Sequence, residues 1–158
     1  MRVRSLALTT ELALANTRGQ IIDKGDYLVV VTPDDPGYYY GNLLVLPAAP
    51  QVGEVAFWTR RFRDELPLAH VTLWWDGTTG DAGAVDELEA AGFTIERALV
   101  MTAEAIANAT SPLPVRELAD HEITEELAWA LGDRHDEQYR QVLVRRAAWQ
   151  RTLVARGL

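Results

Sequence analysis

Seven prolines punctuate this chain, and each falls between stretches that could form regular backbone. Proline has no backbone N–H and a locked φ, so helix interiors and central strands exclude it. Thr32-Pro-Asp-Asp-Pro-Gly37 and Pro47-Ala-Ala-Pro-Gln-Val-Gly53 are therefore predicted loops. Pro67 ends a helix, and Asn108-Ala-Thr-Ser-Pro-Leu-Pro114 has the polar, proline-bearing make-up of a linker.

Between these breaks the hydrophobic pattern predicts short elements. Leu6, Leu8, Leu12 and Leu14 mark an amphipathic helix ending near residues 16–19. Residues 20–23 and 26–32 read as strands around a Lys24-Gly25 turn, and residues 38–46 as a third strand. Val55, Trp58 and Phe62, with arginines between them, predict an amphipathic helix over 54–66. A buried strand over 70–75, a Gly-rich loop over 76–83, a helix over 84–91 closed by Gly92 and a strand over 93–102 complete the first part. This alternation predicts a mixed α/β layer fold with flanking helices and a largely antiparallel sheet.

Beyond the linker, residues 115–118 read as a short strand. Ile123, Leu127 and Leu131 mark a helix, and residues 136–156 a longer one with Tyr139, Val142, Trp149 and Leu153 on one face. Strand, helix, helix is the beginning of a domain. The expected division is residues 1–110 and 111–158, the second packing on the first or continuing into a longer protein. At 158 residues and 48% apolar, the chain can bury a core.

Charge narrows the function classes. Fifteen basic against 23 acidic residues leave a net charge of −8, which disfavours nucleic-acid backbones and anionic membrane surfaces as partners. There is no cysteine, hence no disulfide, thiolate metal site or thiol nucleophile. His70, His121 and His135 are too widely spaced for a local metal motif. The single lysine, Lys24, lies in a polar turn unsuited to lowering its pKa. The amino terminus lacks an unbroken signal-type apolar run, and no window reaches the roughly 20 apolar residues of a membrane span, so a cytoplasmic location is expected.

No catalytic, cofactor-binding or metal-ligating residue stands out. Gly77-Thr-Thr-Gly80-Asp-Ala-Gly83 has neither phosphate-loop spacing nor a following Lys, and Asp76 and Asp81 would repel a phosphate there. Asp34 and Asp35 read as turn formers, and His70 as a strand-end or core histidine. Tyr38, Tyr39 and Tyr40 are more informative. On a strand they would alternate between two faces, supplying more aromatic surface than one core face needs, so at least one is a candidate to line a cleft.

One segment resembles a known family. Val31-Thr-Pro-Asp-Asp-Pro-Gly-Tyr-Tyr-Tyr-Gly-Asn-Leu-Leu44 is similar to a stretch in the amino-terminal halves of bacterial tandem proteins of the GNAT, or N-acetyltransferase, superfamily. That stretch typically reads R-T-P-x-N-P-x-Y-x-W-G-N-F-L; here Val31 replaces the Arg, Asp35 the Asn and Tyr40 the Trp. The helix with Trp58 and Phe62 and the joint Ala90-Ala-Gly92-Phe93 extend the likeness over residues 9–104. Residues 115–157 resemble the first strand and two helices of a second copy.

The resemblance implies a GNAT-like acyl-CoA N-acyltransferase fold, with acetyl-CoA as the family's cofactor and a small-molecule amine as acceptor. In that chemistry an amine attacks the thioester, a backbone N–H stabilises the oxyanion, and the thiolate leaves with a proton from an acid. The family's pyrophosphate loop, [QR]-x-x-G-x-[GA], falls here on Pro47–Gly53, where only Gln51 and Gly53 resemble it, at the wrong spacing. The family's acid, a Tyr four residues before the Gly-Phe pair, falls on Leu88. The coenzyme motif is thus degenerate, and this chain is expected to be the non-catalytic amino-terminal half of an acetyltransferase. Tyr38, Tyr39, Tyr40, Asn42 and Trp58 are the substrate-cleft candidates. The alternative is a stand-alone binding or interaction module, a homodimer with exchanged carboxyl-terminal helices. The expected partner is accordingly a second GNAT copy or a second subunit.

Overall fold

Gly25, at φ +89°, lets the chain reverse after Asp23, whose carboxylate accepts the Gly25 N–H at 2.8 Å. The result is an antiparallel hairpin of β1 (Gln20–Asp23) and β2 (Leu28–Val31), with Asp23 opposite Leu28. A computed structural model describes residues 1–98, 100, 119, 148, 149 and 151. The chain divides into two units, Met1–Met101 and Thr102–Leu158; nearly all described residues belong to the first. Its elements in order are α1 (Leu6–Ala15), β1, β2, β3 (Leu43–Leu46), α2 (Val55–Glu65), β4 (Leu73–Trp75) and α3 (Val85–Ala90).

The four strands form one sheet in sequence order: β2 pairs antiparallel with β1 and β3, and β3 pairs parallel with β4. A parallel pair needs a crossover, and α2 supplies it. The expected mixed α/β architecture with flanking helices is what the described unit has.

Alternation along the strands divides the core by face. Leu28, Val30, Leu43 and Val45 meet Leu8 and Leu12 of α1 on one side. Tyr27, Val29, Leu44 and Leu46 meet Phe62 and Leu66 on the other, beneath α2. All four β3 residues are buried, as a strand covered on both faces requires. A third, smaller cluster of Val55, Ala84 and Leu88 seats α3.

Several local expectations are corrected. Only Leu8 and Leu12 of the four leucines in α1 are buried; Leu6 and Leu14 are exposed, so its apolar stripe is narrower than the sequence suggests. Residues 38–46 are not one strand: a single 3-10 turn occupies Tyr39–Gly41, and β3 begins only at Leu43. The Tyr38 ring lies where a Gly41 side chain would be, 2.4 Å from an ideal Cβ, so this turn needs glycine. The strand expected at 70–75 is confined to Leu73–Trp75, and residues 93–98 and 100 form no strand. Gly92, at φ +86°, does close α3.

The linker at 108–114 and the strand at 115–118 lie outside the described residues, as do Ile123, Leu127 and Leu131. Of the long helix expected over 136–156, Ala148, Trp149 and Arg151 are described and are helical. Among the described residues no helix is long and apolar enough to cross a membrane.

Candidate functional site

The sheet has two ends at β3. Its amino end follows the tyrosine turn, and its carboxyl end leads into the loop ahead of α2. With four residues in β3, its first and last residues are roughly 10 Å apart at ~3.3 Å rise per residue.

At the amino end Asn42 is a scaffold residue. It is 1% exposed, its Oδ1 accepts the Thr32 N–H at 2.9 Å, and its Nδ2 donates to the carbonyls of Asp35 and Tyr38 at 2.8 and 2.9 Å. These bonds fold residues 32–38 back over the start of β3. Asp35 is a turn former, its N–H donating to Thr32 O at 3.0 Å. Its buried carboxylate also meets the Arg18 guanidinium at 2.9 Å. Arg18 in turn lies over the Tyr38 ring, 4.6 Å from the centroid.

The three tyrosines do not alternate like strand residues. Tyr38 is half-buried and meets Tyr40 edge to face at 6.2 Å, while Tyr39 and Tyr40 are exposed. Tyr40 also approaches Trp74 at 6.1 Å, and its hydroxyl donates to Glu96 at 2.9 Å. That bond, then partial burial, raises the Tyr40 pKa above the ordinary phenol value. Tyr39 stands edge-on to His70 at 4.5 Å, and His70 Nε2 lies 3.3 Å from Asn42 O. His70 also faces the Phe62 ring at 5.9 Å, so it is a packed histidine.

Trp58 stands elsewhere. It packs into the face beneath α2, edge to face with Tyr27 at 5.8 Å. Register places Leu28, beside Tyr27, opposite Val45, toward the carboxyl end of β3. The turn thus brings Tyr38, Tyr39, Tyr40 and Asn42 together and leaves Trp58 apart. Trp74, Glu96 and Arg18 join the tyrosines without having been foreseen. Only the aromatic run Trp74-Trp75 was a signal in the sequence, since Glu96 and Arg18 sit in unremarkable polar contexts.

At the carboxyl end, where open α/β sheets usually take a ligand, the backbone is occupied from within. Arg4 Nη2 donates to Pro47 O and Asp76 O, both at 2.9 Å. The buried Asp76 carboxylate accepts the N–H groups of Arg4 and Ser5 at 2.6 and 3.0 Å. Burial alone would raise the Asp76 pKa. The two backbone N–H groups and the Arg4 guanidinium outweigh it and hold the carboxyl below the usual range.

The loop ahead of α2 continues the pattern. Gln51 N–H donates to Glu54 Oε2 at 2.9 Å, and Gly53 N–H to Glu87 Oε2 at 2.6 Å. Pro50 O accepts Ala84 N–H at 2.8 Å, with Gly83 so close that an ideal Cβ there would lie 2.3 Å from Pro50 O. Gly83 has φ +67°, so close approach and backbone sign both require glycine. Leu88 is 2% exposed in the third cluster and offers no proton donor.

Lys24 is an ion-pair residue, 2.8 Å from Glu65. Among the described residues no group of three or more histidines, cysteines or acids could hold a metal ion. Comparison with family models, with curated proteins and with solved structures returned no match.

Proposed function

We propose that this chain is the amino-terminal part of a GNAT-type tandem acyltransferase, with a closed coenzyme slot in its first unit and an aromatic wall for the acceptor amine. The full protein would transfer an acetyl group from acetyl-CoA to an amine, and the thioester chemistry would belong to the second copy.

The loop ahead of α2 carries this reading. It occupies the position of the pyrophosphate loop that the resemblance implies. Its Gln51 and Gly53 N–H groups already donate to the Glu54 and Glu87 carboxylates, and Pro47 and Pro50 have no N–H to offer. A pyrophosphate there would have to displace two carboxylates and would meet their negative charge. These residues do not fit acetyl-CoA, and no step is assigned to it on this unit.

What remains for the chain is the acceptor. Exposed Tyr40, with Trp74 and Glu96 beside it, and exposed Tyr39 next to it in the chain offer aromatic rings and a carboxylate, the groups that attract an organic cation. A net charge of −8 would raise the local concentration of a cationic amine.

Calorimetric titration with acetyl-CoA tests the reading on two proteins, the 158-residue chain and the product of any longer reading frame. The folded short chain should give no saturable heat, and the longer product should bind and acetylate amines. In that product, Tyr40→Ala should raise KM for the amine several-fold while leaving acetyl-CoA affinity unchanged. Saturable acetyl-CoA binding by the short chain would overturn the closed slot.

A further inference from the structure

We infer that, given the acyltransferase reading on which this rests, the acceptor is a diamine. One amino group stays protonated and is held at the Tyr40–Glu96 pair, and the other nitrogen takes the acyl group.

The unit contains a completed version of the same pair. The Tyr27 hydroxyl donates to Glu65 Oε1 at 2.6 Å, and the Lys24 ammonium meets the other oxygen, Oε2, at 2.8 Å. Arg18 is held by similar groups, the Asp35 carboxylate at 2.9 Å and the Tyr38 ring at 4.6 Å from its centroid. At the tyrosine turn the Tyr40 hydroxyl donates to Glu96 Oε2 at 2.9 Å. Among the described residues no donor reaches Glu96 Oε1 and no cation pairs with Glu96. Both residues are exposed, so a ligand can supply the ammonium that Lys24 supplies to Glu65.

The chemistry of the pair selects that ligand. One carboxylate oxygen suits a compact ammonium with N–H donors, whereas a guanidinium fork calls for two oxygens and a quaternary ammonium has no N–H to give. The Tyr40 and Trp74 rings, with centroids 6.1 Å apart and planes inclined at 50°, offer apolar surface to the methylenes next to the ammonium.

The nitrogen held there cannot also be the acceptor. An ammonium has no lone pair, and a carboxylate beside it favours the charged form of a group whose ordinary pKa is already ~10. Acylation needs a second nitrogen that is free to lose its proton. There a C–N bond forms as the C–S bond of the acyl thioester breaks, and the nitrogen's proton leaves with the thiolate.

Saturation-transfer NMR and calorimetry of the 158-residue chain test which group is held, using a four-carbon diamine and its mono- and di-N-acetyl derivatives. The first two should bind within about threefold of each other, and the di-acetyl compound, lacking an ammonium, at least about tenfold more weakly. In the mono-acetyl compound, saturation should be strongest on the methylene beside the ammonium. Glu96→Gln and, separately, Tyr40→Ala, both at exposed positions, should weaken the two binders by about fivefold or more, with thermal melts verifying the fold. In the product of any longer reading frame, the diamine should be acetylated with kcat/KM at least about tenfold above n-butylamine. Glu96→Gln should remove that preference and leave the KM for acetyl-CoA unchanged. A folded short chain that binds no amine, or binds the di-acetyl compound equally well, would overturn the site. Monoamines acetylated as well as diamines, or a preference indifferent to Glu96→Gln, would overturn the diamine and leave the acyltransferase reading standing. A longer product that binds the diamine yet acetylates no amine would overturn that reading, and the diamine acceptor with it.

Discussion

The Glu87 carboxylate accepts the Gly53 N–H at 2.6 Å, joining α3 to the loop ahead of α2 across 34 residues of sequence. A charged acceptor makes this a strong hydrogen bond, and it adds to the Leu88 packing and the Ala84 N–H to Pro50 O bond that seat the six-residue α3. Glu87→Ala should lower stability by about 1–2 kcal/mol. Glu87→Gln keeps an acceptor oxygen without the charge and should lose roughly half as much. Urea denaturation of the three proteins measures the difference. Equal stability of wild type and Glu87→Ala would show that the bond contributes nothing.

Asn42 gives a sharper prediction because its amide works in both directions. Asn42→Ala leaves the Thr32 N–H and the Asp35 and Tyr38 carbonyls without their side-chain partner in a buried turn. A loss of about 3 kcal/mol is expected. Asn42→Asp is nearly isosteric and can still accept from Thr32, yet it sets a carboxylate oxygen against two carbonyl oxygens. It should therefore be about as damaging as alanine. A benign Asn42→Asp in urea or thermal melts would refute the assignment of the amide orientation.

Acid should act through Asp76. Its carboxyl is held below its ordinary value, so the folded state binds this proton less readily than the unfolded chain. The resulting stability is fully present above the unfolded pKa, near ~4, and is lost as pH falls through the lower folded value. Asp76→Asn should remove that part of the acid-unfolding slope. It should also cost about 2–4 kcal/mol at neutral pH, because an amide cannot accept from both Arg4 and Ser5 N–H groups without turning a donor toward one of them. Stability measured by urea at a series of pH values tests both parts. An unchanged slope would sink the assignment.

Where the sequence carried its own periodicity, the fold was legible from it. The Lys24-Gly25 reversal, the α2 stripe through Val55 and Phe62 and the Gly92 stop all depend on neighbours a few residues away. The tyrosine turn was misread for the opposite reason. Tyr38–Asn42 has strand-like composition, but Gly41 under the Tyr38 ring and Asn42 reaching back to Asp35 bend it into a 3-10 turn. Those contacts are invisible to a period-two pattern. The closure of the loop ahead of α2 was half legible: its prolines show in the sequence, whereas Glu87 closes it from 34 residues away. Trp58 fits a helix stripe whether it lines a cleft or fills the core, and only its ring contacts with Tyr27 and Phe57 show that it packs away from Tyr38, Tyr39 and Tyr40.

Tyr27 should be a late-titrating tyrosine. Burial, followed by its hydrogen bond to Glu65 at 2.6 Å and the charge on that carboxylate, pushes its pKa up to about 12. Glu65 moves the other way: the Lys24 ammonium and then the Tyr27 hydroxyl hold its carboxyl below the usual range, so a neutral phenol faces an ionised acid. Because the folded state keeps the phenolic proton longer, this stability is fully present below the unfolded pKa of ~10 and disappears as pH rises through about 12. Ultraviolet titration should show one tyrosinate forming only as the protein unfolds in strong alkali. Tyr27→Phe should remove that step and shift the alkaline unfolding midpoint upward, since no buried phenol then has to ionise. If Tyr27→Phe leaves the late step in place, the group responsible is another tyrosine.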